Sequence, residues 1–271
     1  MPEQRPLRLV CLGDSFTEGL FDDLRPDGEY LGWADRVADA LAANEGGRID
    51  FANLAVRGKL LDQIVEIQIP RALGLDPDIL TFHAGGNDVL RRGTDLPDLF
   101  ARYDESVARI VRPGRQVLLF TCITRTGGTG RLADAIADRL EAFNRNVRET
   151  ARRHGTQIVD LDSAETLGDR QLWHTDRLHL NAAGHSRVAA AVLEELGIDD
   201  QQLLGGPPGW WRQPLPQTTK PGRRDALLAD VAWIRDHFGP WIWRRIRGVS
   251  SGDGRVAKDD RLRAVATTRS R

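Results

Sequence analysis

Short apolar runs rich in β-branched residues alternate along this chain with longer segments of helical period, and that alternation limits what it can fold into. Leu7 to Leu12, Ile49 to Leu54, Ile79 to Phe82, Val117 to Thr121 and Ile158 to Leu161 read as strands. Trp33 to Ala43 and the segments near 60–73, 96–111, 131–153 and 182–196 read as helices between or after them. Strands joined through helices of this length need crossovers, which cover both faces of a parallel sheet. Such sheets bind ligands outside the carboxyl ends of their strands, so chemistry is to be sought in the loops that follow them.

The bulk numbers set wide limits. With 271 residues, 41% of them hydrophobic, the chain is long for one domain, short for two, and able to fill an ordinary core. A formal net charge of -1 selects neither nucleic acid nor membrane as a partner, but it averages over two unlike parts. Residues 205–271 hold 14 Lys or Arg against 6 Asp or Glu, and residues 1–204 carry the acidic excess. Cys11 and Cys122 sit inside apolar runs and read as buried small hydrophobes, not as a disulfide framework. The first residues run into a strand without the apolar stretch of a secretory signal, so a cytoplasmic location is expected. No apolar segment approaches the ~20 residues needed to cross a bilayer.

Three of the strand-end loops carry groups suited to acyl chemistry. Gly13-Asp14-Ser15-Phe16-Thr17-Glu18-Gly19 follows the first strand and sets a serine hydroxyl among residues that let backbone approach closely. It is not a Gly-x-Ser-x-Gly elbow, because Asp14 directly precedes Ser15 and no glycine stands in that register. Asn53-Leu54-Ala55-Val56-Arg57-Gly58 and His83-Ala84-Gly85-Gly86-Asn87-Asp88 follow the next two strands. The backbone N–H of Gly58 and the side-chain amide of Asn87, aimed at one point, are donors of the kind a developing oxyanion requires. Each loop alone also reads as an ordinary turn.

A fourth segment, Trp173-His174-Thr175-Asp176-Arg177-Leu178-His179-Leu180-Asn181, precedes a helix that Asn181 can cap. Asp176 and His179 are spaced so that a carboxylate can take a hydrogen bond from one imidazole nitrogen while the other faces a serine. Two other readings stay open. Asp176 can be a turn residue and His179 a core histidine, or His174, Asp176, His179 and His185 can ligate a metal, although that leaves Ser15 and Asn87 without roles.

Taken in order, Gly13-Asp14-Ser15, the Gly58 loop, Gly86-Asn87-Asp88 and Asp176-x-x-His179 resemble the motif blocks of the SGNH (GDSL) hydrolases over roughly residues 7–197. The resemblance implies a three-layer α/β/α flavodoxin-like fold with a parallel central sheet, and an esterase-type activity. It implies Ser15 as nucleophile, His179 as general base and Asp176 as its orienting partner. The N–H groups of Ser15 and Gly58 and the amide of Asn87 would form the oxyanion hole. Asp14 and Asp88 would shape loops through hydrogen bonds. Neither a cofactor nor a metal is expected, and the substrate is expected to be a small acyl ester. Transfer of the acyl group to an alcohol other than water uses the same intermediate, and a silent carbohydrate- or lipid-binding module could keep the same fold. Phe16 and Trp173 are candidate pocket residues that also suit plain packing.

The catalytic domain is expected to cover 1–204 and to end before Gly205-Gly206-Pro207-Pro208-Gly209, which favours a hinge. Residues 205–271 form a basic extension holding Trp210, Trp211, Trp233, Trp241 and Trp243. A helix or helix pair is expected over Arg223 to Arg247, and no regular structure from Ser250 to Arg271. The extension suits packing over the domain, peripheral contact with a membrane or lipid, a pocket lid or a partner-binding arm. It has no nucleic-acid-binding motif.

Overall fold

The computed structural model describes residues 5–91, 93–124, 131–217, 235 and 252–266, with the backbone alone at 132. Its sheet is built from β1 (Arg8–Leu12), β2 (Arg48–Asn53), β3 (Ile79–Phe82), β4 (Gln116–Phe120), β5 (Gln157–Val159) and β6 (Asp259–Ala266), in the spatial order β5-β4-β3-β1-β2-β6. The first five strands are parallel and give the flavodoxin-like order, with the switch point at β1 and β3.

The helices are α1 (Ser15–Glu18), α2 (Gly32–Asn44), α3 (Leu61–Gln63), α4 (Ile69–Gly74), α5 (Gly86–Val89), α6 (Leu96–Ile110), α7 (Arg131–His154), α8 (Ala182–Glu195) and α9 (Gln201–Leu204). A π-turn, Ile64–Gln68, joins α3 to α4.

Alternation within the strands creates two cores. Leu9, Cys11, Leu118 and Phe120 pack with Trp33, Val37 and Leu41 of α2 and Val188 and Val192 of α8. Val10, Leu12, Leu80 and Phe82 face the opposite layer and meet Leu61, Ile64, Leu99, Tyr103, Phe143 and Val147. Both faces are therefore dry, which is why these strands read as continuous apolar runs and not as alternating ones. Each large side chain so buried contributes roughly 1.5–3 kcal/mol. Cys11 and Cys122 are buried and free. No helix among the described residues is long and apolar enough to cross a membrane.

Two expectations about the C-terminal part need correction. The compact domain does not stop at Leu204: Trp211 is buried against the α2–α8 core and its indole N–H donates to Glu194 Oε2 at 2.9 Å. Arg187 reaches the carbonyls of Trp211 and Gln213 at 2.8 and 2.9 Å, so this turn is stitched to α8. Further on, where no regular structure was expected, β6 runs antiparallel to the free edge of β2 and makes the sheet mixed. Its Leu262 packs on one core and its Val265 on the other. The helix expected over 223–247 lies outside the described residues apart from Arg235, and so do Trp233, Trp241 and Trp243.

The last strand is tied down by buried charge. Lys258 Nζ donates to Asp35 Oδ2 at 2.6 Å and to the carbonyls of Tyr30 and Leu31 at 2.6 and 3.1 Å. Both side chains of this pair are 1% exposed. Arg25 and Arg263 complete the shell around Asp35 at 3.1 and 2.8 Å and also bind Asp259. Burial drives the Asp35 pKa up, even with Lys258 and Arg25 drawing it down.

Candidate active site

Ser15 opens α1 immediately after β1, and the turn that presents it is fixed from several sides. Asp14 caps α1 by accepting the Phe16 N–H at 3.1 Å. Gly13 lies so close to the next strand end that a Cβ would come within 2.7 Å of the His83 carbonyl and 2.5 Å of Thr17 Oγ1. Gln68, from the π-turn, clamps the same residue: it accepts the Gly13 N–H at 2.8 Å and donates to the Gly13 carbonyl at 2.9 Å. Single π-turns inside helices recur at functional sites, and here the turn supplies the clamp.

Asp176 and His179 lie on the turn before α8, whose N-cap Asn181 accepts the Gly184 N–H at 3.1 Å. Arg177, with φ +58°, bends that turn. His179 Nδ1 stands 2.6 Å from Asp176 Oδ2, and its Nε2 stands 3.0 Å from Ser15 Oγ. The other Asp176 oxygen accepts the N–H groups of Leu178 at 3.0 Å and His179 at 3.1 Å. Burial works to raise the Asp176 pKa, but the hydrogen bond and charge of His179 and these two amides outweigh it. They hold the carboxyl far below the usual range. A hydroxyl thus faces an imidazole whose far nitrogen is held by an ionised carboxylate. That arrangement can draw a proton from the serine as its oxygen attacks.

The structure also joins the three strand-end loops through Asn87. Its Nδ2 donates to Asp14 Oδ2, beside Ser15, and to the Lys59 carbonyl, beside Gly58, each at 3.0 Å. Those bonds engage both hydrogens of the amide. An oxyanion arriving here would take one of them by exchange or by sharing.

A model of the GDSL-like Lipase/Acylhydrolase family matches residues 11–187, the stretch that carries Ser15, Gly58, Asn87, Asp176 and His179. The chain belongs to that family. It is a hydrolase acting on ester bonds. Among solved structures, a catalytic mutant of Axe2, an acetylxylan esterase from Geobacillus stearothermophilus, matches with a TM-score of 0.59 and 23% identity. The match covers 73% of this chain and 97% of that one. LAE5, described as an alpha/beta hydrolase enzyme from the metagenome of Lake Arreo, Spain, matches with a TM-score of 0.60 and 23% identity, over 72% of this chain and 97% of that one. At that identity the likeness establishes the shared fold. Comparison with curated proteins gave no match.

Around the site of this GDSL-like hydrolase, Glu18, Arg57 and His83 had no assigned part in the sequence, whereas Asp88 was expected to shape a loop and Phe16 and Trp173 to line a pocket or to pack. Arg57 binds Glu18 through its own N–H at 2.6 Å and its guanidinium Nε at 2.8 Å, which ties the Gly58 loop to the end of α1. His83, buried under Phe16 with 4.3 Å between ring centroids, has Nδ1 3.7 Å from Asp14 Oδ1. Burial opposes its charged form, but Asp14 and Cys122 prevail and its pKa is pushed up to about 10. Asp88 accepts the Leu61 N–H at 2.9 Å, and burial pushes its carboxyl up to about 6. Phe16 also packs on Trp33 and Phe120, and the Trp173 indole donates to the Leu167 carbonyl at 2.8 Å.

The four residues open to a metal reading are not gathered at one point. His185 is buried, with Nε2 3.0 Å from the Leu20 carbonyl, and its pKa is lowered to about 4, chiefly by burial. No group of three or more His, Cys, Asp or Glu able to hold a metal ion occurs among the described residues.

Proposed function

We propose that this enzyme cleaves esters through a covalent acyl-serine at Ser15, with His179 as general base and acid and Asp176 as the carboxylate that orients it and stabilises its charged form. The observation that carries the reading is the unbroken line Ser15 Oγ, His179, Asp176, with links of 3.0 and 2.6 Å. Ser15 Oγ attacks the acyl carbon while its proton passes to His179 Nε2, and that proton then leaves with the alcohol as the C–O bond breaks. Water repeats the sequence in reverse and frees the acid. The N–H groups of Ser15 and Gly58 and the Asn87 amide supply the charge stabilisation. The acyl group we assign is small, in line with the acetyl esters named for Axe2.

A fluorophosphonate probe tests the covalent step directly, because only an activated hydroxyl displaces its leaving group. Intact-mass and peptide analysis should place one adduct on Ser15 within minutes, and the adduct should survive a chelator. An adduct on another residue, or none on protein that turns over phenyl acetate, would overturn the mechanism. Asn87→Ala should lower kcat by about 10²- to 10³-fold with little change in KM, because the donor acts only on the charge that develops during attack.

A further inference from the structure

Phe21 holds a backbone conformation that bulky residues avoid, with φ +65°, and its neighbours fix it from both sides. The carbonyl of Leu20 accepts a hydrogen bond from the buried His185 Nε2 at 3.0 Å. The carboxylate of Asp22 is gripped by Arg36 through two N–H groups at 2.9 and 2.6 Å. Strain of this kind persists where the surroundings over-determine it, and it concentrates at functional sites. What the strained residue places is a ring. The Phe21 ring lies parallel to the His174 imidazole, 3.9 Å between centroids, and stands 5.4 Å from the His179 ring and 5.8 Å from the Tyr30 ring. His174 is itself held: its N–H donates to the His179 carbonyl at 2.8 Å, and its carbonyl accepts from Arg170 at 2.8 Å. Phe21, Tyr30 and His174 are all partly exposed, so the wall they form beside the catalytic imidazole is open to a ligand.

The position follows from the chemistry. An alcohol leaving the acyl carbon must bring its oxygen within hydrogen-bond reach of His179 Nε2, so the rest of that alcohol passes beside the ring that stands against His179. We propose that Phe21, backed by His174, is the residue that selects the alcohol part of the substrate, favouring alcohols that present a flat ring face, a sugar or an aryl ring. This rests on the acyl-serine reading above.

The acyl-enzyme separates alcohol contact from damage to His179. Esters of one acid share a single deacylation step, so lost contact with the alcohol slows acylation only, whereas a displaced imidazole slows both. Phe21→Gly removes the ring and relieves the backbone at once; Phe21→Tyr keeps the ring. The substrates are phenyl acetate, a monoacetylated methyl pyranoside and ethyl acetate. With Phe21→Gly we expect kcat/KM to fall about tenfold or more for at least one ring alcohol and by less than about twofold for ethyl acetate. Deacylation, followed by mass in single turnover, should be unchanged, and Phe21→Tyr should match wild type. Loss on the phenyl ester alone identifies an aryl site, and loss on the pyranoside alone a sugar site. Equal losses on all three esters, or no loss on any, would overturn the proposal. A fluorophosphonate adduct on a residue other than Ser15 in the wild type would sink the covalent mechanism instead, while the ring-against-ethyl comparison would still be read from kcat/KM.

Discussion

The Ser15→Ala protein is expected to lose hydrolysis of phenyl acetate by about 10⁴- to 10⁶-fold while keeping its circular dichroism spectrum and melting temperature. On the proposed acyl-serine mechanism the loss is large because the serine, imidazole and carboxylate would work as one unit: without Oγ, His179 would have no proton to take and Asp176 no imidazolium to stabilise. The fold should stand because Ser15 Oγ is bonded to His179 alone among the contacts described for it, while the turn is held by Gly13, Asp14 and Gln68. What turnover survives would come from binding and from the donors of the three loops. A variant that hydrolyses the ester at the wild-type rate would remove Ser15 from the mechanism.

The second large effect concerns stability, not rate. Lys258→Met takes one of three cations from a carboxylate that is 1% exposed. Removing one member of a buried pair costs about 3–5 kcal/mol, and with Arg25 and Arg263 still in place the lower end, about 3 kcal/mol, is expected. For a chain of this size that lowers the melting temperature by roughly 6–12 °C. Asp35→Leu combined with Lys258→Met should recover part of the loss, since the buried carboxylate that lost a cation is then gone as well. A thermal scan of the single and double variants decides it: a single variant as stable as wild type would mean that the bond to Lys258 contributes nothing net.

How legible these features were in the sequence follows from where their stability comes from. β1 to β5 are dry on both faces, so their composition alone marks them, and the loops that bear Ser15, Gly58 and Asn87 could be found because each follows such a strand. The Asp176–His179 pair was readable because its spacing is local, three residues in one turn. β6 was not readable. Its sequence, Asp-Asp-Arg-Leu-Arg-Ala-Val-Ala, has only Leu262 and Val265 as large apolar residues, and its place is set by the β2 ladder and by ion pairs to residues 25 and 35. Trp210 and Trp211 were read as part of the basic extension, but Trp211 belongs to the core through Glu194 and Arg187, partners 17 and 24 residues away. Phe21 gave no signal at all. A positive φ at a phenylalanine is imposed by anchors that the surrounding residues do not announce.

The Asp35 hub also sets an order for the making of the molecule. Asp35 and Lys258 are 223 residues apart, and Asp35 and Arg263 are 228 apart. While the chain is being synthesised, the carboxylate meets only Arg25, and the outer edge of β2 stays unpaired. Helix α2 therefore cannot complete its final packing until residues 258 to 263 have been made and have left the ribosome. The state before that moment, with a sheet edge bare and a charge half matched, is the one most exposed to aggregation and to chaperones.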